Sequence, residues 1–217
     1  GTSVKRSTKS TSLFGRGDGN RANIEAARKY PKELKAYCGV NPNYPDEIAK
    51  MLDSYDRYRD AFIGFKMLAD YHGIAITDAK FAPVWEFADA NGLIVLIHTW
   101  GNSPFDGQDQ VKAIAEKYHN VKINIGHSCH GEWDKAVGLV KSFPNLYLDL
   151  CAVLDDRGIL EKFVEEAGAD RILFGTDFPW FDYHWCVGAV LGADISDGDR
   201  RRIFYGNARK LLGPAIP

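Results

Sequence analysis

Three polar residues stand at the ends of apolar runs in this chain: His98 closes LIVLIH, His127 closes VKINIGH and Asp177 closes RILFGTD. Imidazole and carboxylate donors together suit a borderline divalent ion, zinc first and manganese second, if they converge from separate strands and leave one position open for water. Such an ion lowers the pKa of bound water toward ~7; a carboxylate can then orient and deprotonate that water, while an imidazole exchanges a proton with substrate. One histidine at a strand end could be an ordinary rim residue. Three matched groups on three strands are read as catalytic or metal-binding, because polar groups gathered without a task carry a desolvation cost.

The elements that must position them are short β-branched and aromatic runs at 37–40, 62–68, 93–97, 121–125, 146–150 and 172–174. Each reads as a buried strand. Between them, PDEIAKMLDSYDRY, DAKFAPVWEFADAN, GQDQVKAIAEKYHN and GEWDKAVGLVKSF have helical spacing, as crossover helices do. Asp78 is placed to cap the second of these helices, and Asn91-Gly92 to close it. Strand starts fall roughly one βαβ unit apart, which implies parallel strands with right-handed crossovers.

The polar but β-prone stretch SVKRSTKSTSLF is read as one more strand, followed by the helix NRANIEAARKY, for about seven strands in all. A short helix is expected near WCVGAVLG and a longer one over SDGDRRRIFYGNARKLLG. No G-x-G-x-x-G or Walker loop is present, so a closed barrel is favoured over an open doubly wound sheet. In such barrels the chemistry sits at the carboxyl ends of the strands, where these three residues fall.

The bulk numbers fit a single domain over residues 1–217, with 45% hydrophobic and 26% charged residues. A net charge of −2 suggests neither a nucleic acid nor an anionic membrane as partner, leaving a small molecule. The four scattered cysteines suit reduced thiols in a cytoplasm. The amino-terminal residues carry no apolar signal segment, so a cytoplasmic location is expected.

Further candidates are Lys66, Trp100 and His72, each read as substrate-binding. Lys66 lies in an apolar strand and offers a point charge for a carboxylate. Trp100 follows His98 by two residues and could wall a pocket. Asp149 is read as a buried structural hydrogen-bonding residue. Cys129 and His130 are read as ordinary loop residues.

The runs GFKMLADYHG, IHTWG, GHSCHGEWDKA, NLYLDL and ILFGTDFP resemble those of the amidohydrolase-2 branch of the metal-dependent amidohydrolase superfamily. The resemblance covers nearly the whole chain. It implies a (β/α)8 TIM-like barrel in which His98 is the fifth-strand metal ligand and Asp177 the eighth-strand Asp that binds metal and handles the water proton. His127 matches the sixth-strand His, here given the acid/base role with a second-metal ligand as the alternative. The branch contains hydrolases and nonoxidative decarboxylases.

The main expectation is a metal-dependent hydrolase of a small carbonyl, amide, ester or lactone compound. A decarboxylase of a small carboxylate, or an inactive barrel that binds or assembles, is the alternative. The family's first strand carries an H-x-H pair, and no H-x-H occurs in this sequence. If SVKRSTKSTSLF is the second strand, the first βα unit is not in this chain. An incomplete barrel of this kind should hold metal weakly and expose strand edges, which favours a homo-oligomer.

Overall fold

The computed structural model describes residues 19–213, so the expected strand over 3–14 lies outside the described region. Helix α1 (Gly19–Lys29) comes first and packs Ile24 and Ala27 inward. From its first turn the amide of Asn20 donates to the Gly39 carbonyl at 2.9 Å and accepts from the Gly39 N–H at 2.7 Å. A side chain thereby satisfies backbone groups of β1 (Ala36–Val40) that an edge strand would otherwise leave open.

The remaining strands are β2 (Phe62–Met67), β3 (Ile94–Trp100), β4 (Lys122–His130), β5 (Leu146–Asp149) and β6 (Ile172–Leu173). All pairs are parallel, in the order β1-β2-β3-β4-β5-β6. The α/β barrel layout is present with an open sheet among the described residues: β1 and β6 each have one strand neighbour. Two strands outrun their apolar cores. β3 continues from Ile97 to Trp100 and β4 from Ile125 to His130, because Thr99 and its neighbours make cross-strand bonds that hydrophobic patterning does not report.

Helices follow the strands as the periodicity requires. Helix α2 (Pro45–Ser54) has Pro45 in its first turn, where its missing N–H is no loss, with Asp46 and Glu47 on the positive end of the helix dipole. A short α3 (Ala69–His72) and then α4 (Ala82–Ala90) separate β2 from β3. Asp78 does not cap α4: its carboxylate accepts from the Lys80 N–H at 2.9 Å in a local turn. The helix starts four residues later, beside Pro83, a residue favoured in a first turn. At the other end Asn91 and Gly92 close α4 as expected, with Gly92 at φ 58° and Leu93 N–H donating to Ala88.

Helices α5 (Gln108–Lys117), α6 (Trp133–Ser142) and α7 (Ile159–Ala167) cover the next three crossovers. Beyond β6 come α8 (Tyr183–Gly192), α9 (Asp197–Arg201), a π-helical turn at Arg202–Gly206 and α10 (Asn207–Leu212).

Alternation along each strand sorts the side chains. Phe65, Met67, Val95, Ile97, Ile123 and Ile125 are fully buried in the main core with the helices. The residues between them face the other side of the sheet, where Lys66, Leu96 and Asn124 lie in one register row. That inner face is sealed at the base by Leu211 of α10, packed against Ile94 and Leu173. Lys122 reinforces the seal by donating to the Leu211 carbonyl at 3.1 Å. No helix among the described residues is long and apolar enough to cross a membrane.

Candidate active site

His98 is carried at the inner face of β3 because its neighbours Ile97 and Thr99 are taken up by the core and by the next strand. It is buried, and its Nδ1 lies 3.0 Å from Oδ2 of Asp106. Asp106 has no exposed surface and also accepts from the Asp70 N–H at 3.3 Å. This leaves Nε2 as the imidazole nitrogen available for chemistry. Opposite His98 in the register stands Gly126, where a Cβ would lie 2.5 Å from the Ile97 carbonyl. Only glycine lets β3 and β4 approach this closely at the level of the site.

Past Gly126 the backbone of β4 turns left-handed for three successive residues, His127 (φ 64°), Ser128 (φ 48°) and Cys129 (φ 54°). Each such non-glycine position costs on the order of 1–3 kcal/mol and persists only where surroundings enforce it. The enforcing bonds are visible. Thr99 Oγ1 donates to the Gly126 carbonyl at 2.6 Å and accepts from the Cys129 N–H at 2.8 Å. Ser128 Oγ donates to the Asp149 carbonyl at 2.8 Å.

The excursion brings the buried His127 ring to 4.9 Å from that of His98, with the planes at 73°. His127 Nδ1 is 3.1 Å from the Cys151 carbonyl, so here too Nε2 is the unengaged nitrogen. Trp100, 44% exposed, stands 5.9 Å from His127 and stacks on His130 at 4.2 Å. It therefore forms a wall of the mouth rather than part of the core. His130 is itself bonded to the Ala152 carbonyl at 2.8 Å, and the Cys129 thiol is buried, its pKa pushed up by desolvation to about 12.

Asp177, the third expected donor, follows β6 and also has a left-handed backbone at φ 53°. Its charge acts on both Lys66 and His127. Burial drives the Lys66 ammonium below its ordinary range, opposed by Cys151 and the carboxylates of Asp149, Asp177 and Asp106. Burial likewise lowers His127, helped by the charges of His98 and Lys66 and opposed by the Cys151 carbonyl and by Asp177. Ring contacts bring His98, His127 and Trp100 together, and the charges of Lys66 and Asp177 act on His127.

Asp149 has the structural part expected of it. It accepts from Asn124 Nδ2 at 2.6 Å and from the Cys151 N–H at 2.9 Å. Gly175 leaves room for its carboxylate, since a Cβ there would overlap Asp149 Oδ1.

His72 makes no hydrogen bond to this group. It is buried in α3 with neither ring nitrogen bonded among the described residues. Its neighbour Tyr71 packs instead on His98, ring centroids 5.2 Å apart. Successive helical residues point about 100° apart, so the two cannot share a direction. Desolvation lowers the His72 pKa to about 4.

Above pH ~6.5 that imidazole is neutral folded or unfolded. Between pH ~6.5 and about 4 the unfolded chain takes up a proton that the folded chain refuses. Stability should fall across that window by on the order of 3 kcal/mol, then level off. His72→Phe should remove this part of the acid limb in urea unfolding followed against pH, and superimposable profiles for the two proteins would contradict it.

Two residues that the sequence pattern did not single out belong to the site. Asp106 lies in the loop between β3 and α5, where a single acidic residue in PFDGQ carries no periodic signal. Tyr71 was hidden by the more reactive-looking His72 beside it.

The donor types suit a divalent ion, yet among the described residues no three His, Cys, Asp or Glu side chains are grouped to hold one. His98, His127 and Asp177 do not by themselves make a complete ligand set.

Residues 7–213 match the family model described as Amidohydrolase. The chain belongs to the amidohydrolase family. A gamma-resorcylate decarboxylase of Polaromonas sp. (strain JS666) is 28% identical to this amidohydrolase-family chain over 150 residues, 60% of the chain and 42% of that enzyme. The match thus spans less than half of the curated relative's length. A TIM-barrel protein of Bordetella bronchiseptica superposes with a TM-score of 0.78 at 20% identity, covering 94% of this chain and 75% of that one. The 5-carboxyvanillate decarboxylase of Novosphingobium aromaticivorans, solved with manganese and 4-hydroxy-3-methoxy-5-nitrobenzoic acid, superposes at 0.72 and 19% identity. That superposition covers 89% of this chain and 68% of the enzyme. These structures share the fold with this amidohydrolase-family chain.

Proposed function

We propose that this amidohydrolase-family protein is a nonoxidative decarboxylase of a small hydroxylated aromatic carboxylate. Sequence motifs placed hydrolysis first and decarboxylation second; the relatives favour the reverse order, because those with a stated activity are decarboxylases. The observation that carries the reading within this chain is the approach of the His127 ring to His98 at 4.9 Å and to Trp100 at 5.9 Å, with the charges of Lys66 and Asp177 acting on His127. It joins a desolvated cation, which suits a carboxylate, to a proton carrier.

In this reading Lys66 holds the substrate carboxylate and Trp100 lies along the aromatic ring. His127 protonates the ring carbon that bears the carboxylate. The carbon–carbon bond then breaks, its electron pair returns to the ring, and carbon dioxide leaves. His127 recovers its proton from solvent. Burial lowers the His127 pKa, but an arriving carboxylate adds negative charge beside it and favours the protonated form. Asp177 pushes in the same direction.

Incubation with gamma-resorcylate and with 5-carboxyvanillate, in added manganese and separately in chelator, tests the proposal by release of carbon dioxide and the decarboxylated phenol. Product from at least one of these acids is expected. Hydrolysis of an ester or lactone panel with no carbon dioxide from either acid would replace this function with the hydrolytic one.

A further inference from the structure

Asp106 is a carboxylate with no exposed surface, and such a group is retained only where partners compensate its lost hydration. Its partners are few. Oδ2 faces His98 Nδ1 at 3.0 Å and the Asp70 N–H at 3.3 Å, while Oδ1 is buried without a partner among the described residues. The backbone around it is also held within its own loop: Ser103 Oγ accepts from the N–H groups of Phe105 and Asp106 at 3.2 and 3.3 Å, and Gly107 N–H donates to the Ser103 carbonyl at 3.0 Å. A Cβ at Gly107 would collide with that same carbonyl. The loop is thus built tightly around one acceptor aimed at one imidazole.

We propose that Asp106 is a positioning residue that holds His98 in the tautomer carrying its proton on Nδ1, so that the Nε2 lone pair is presented to the site. An ionised carboxylate can only accept, so the nitrogen facing Asp106 must be the protonated one. The hydrogen bond fixes the ring plane as well as the tautomer, as acceptors behind functional imidazoles do. Tyr71, 5.2 Å away at 89° to the imidazole plane, and Trp100, 6.3 Å away and 10° from parallel, pack near the ring so oriented. The inference deepens the proposed active site, but the tautomer itself does not depend on which reaction occurs there.

Long-range ¹⁵N–¹H correlation of ¹⁵N-histidine-labelled protein in chelator at about pH 8, where imidazoles are neutral, reads the tautomer directly. His98→Gln identifies the His98 signals. The native protein should show His98 with Nδ1 protonated and Nε2 bare. Asp106→Ala should shift it toward the Nε2-protonated form and lower kcat/KM ~10–100-fold. Asp106→Asn keeps an acceptor opposite Asp70 and His98, so it should keep the native tautomer and most of the activity. A native His98 protonated on Nε2 would overturn the proposal even if the alanine variant does not fold. So would an asparagine variant whose tautomer shifts as far as alanine's. If the tautomers behave as stated while no decarboxylation is found with any variant, the proposed reaction fails and the positioning role of Asp106 stands.

Discussion

Asp177→Asn should lower decarboxylation turnover ~10²-fold or more while leaving the thermal midpoint of the protein nearly unchanged. The substitution removes the anion that acts on His127 and Lys66 without altering side-chain volume. Its backbone consequence is small for a specific reason. Asp177 sits at φ 53°, a region that asparagine enters more readily than any other residue except glycine. The Trp180 N–H donates to the backbone carbonyl of residue 177, a bond that does not depend on the side chain. Steady-state kinetics paired with a melting curve check both halves. Near-normal turnover would remove Asp177 from the chemistry, whereas lost turnover with a collapsed melt would indicate a structural part.

Gly64→Ala is expected to cost about 3 kcal/mol or more, or to prevent soluble expression. A Cβ at position 64 would fall inside the Ile94 carbonyl of the adjacent strand. Backbone cannot swing aside as a flexible side chain can. Gly64 pairs in register with Ile94, so relief requires β2 and β3 to separate, and these strands carry Lys66 and His98. The contrasting substitution is Gly138→Ala on α6, where an added Cβ meets nothing within 4 Å. It should stabilise by about 0.5–1 kcal/mol, because alanine loses less backbone freedom in a helix interior. Urea midpoints of the two variants should therefore move in opposite directions, and a shift in the same direction would contradict the packing described.

The fold was largely readable because its signal is periodic. Runs such as LIVLI and VKINI are buried on the helix-facing side and bounded by turn residues, and both became strands close to where patterning put them. Edges were less readable. Asp78 has the chemistry of a cap, yet it spends its carboxylate on a turn before the helix begins. The extensions of β3 and β4 rest on Thr99 and Ser128 bonding across strands, a matter of register rather than residue type.

For the site, His98, His127, Asp177 and Lys66 could be chosen because a polar residue ending or interrupting an apolar strand is conspicuous. The left-handed backbone at His127 and Asp177 was invisible, since His and Asp, though enriched in that region, adopt it in only a small fraction of their occurrences. Asp106 was invisible for another reason: its importance comes from the eight-residue loop return that folds it under His98, and no local spacing encodes that return.

The unbroken strand order has a kinetic consequence. Because each strand pairs with its neighbour in sequence, no strand has to be inserted between two already joined, and the sheet can grow outward by one βα unit at a time. Short loop closures precede long ones on such a route, which keeps the entropic barrier low. The β3–β4 ladder is the natural seed: it joins the two longest strands and already spans His98 opposite Gly126. The two-residue β6 joins late by the same reasoning. The nascent protein would thus bring its two imidazoles together early, and acquire the carboxylate of Asp177 only as the last strand docks.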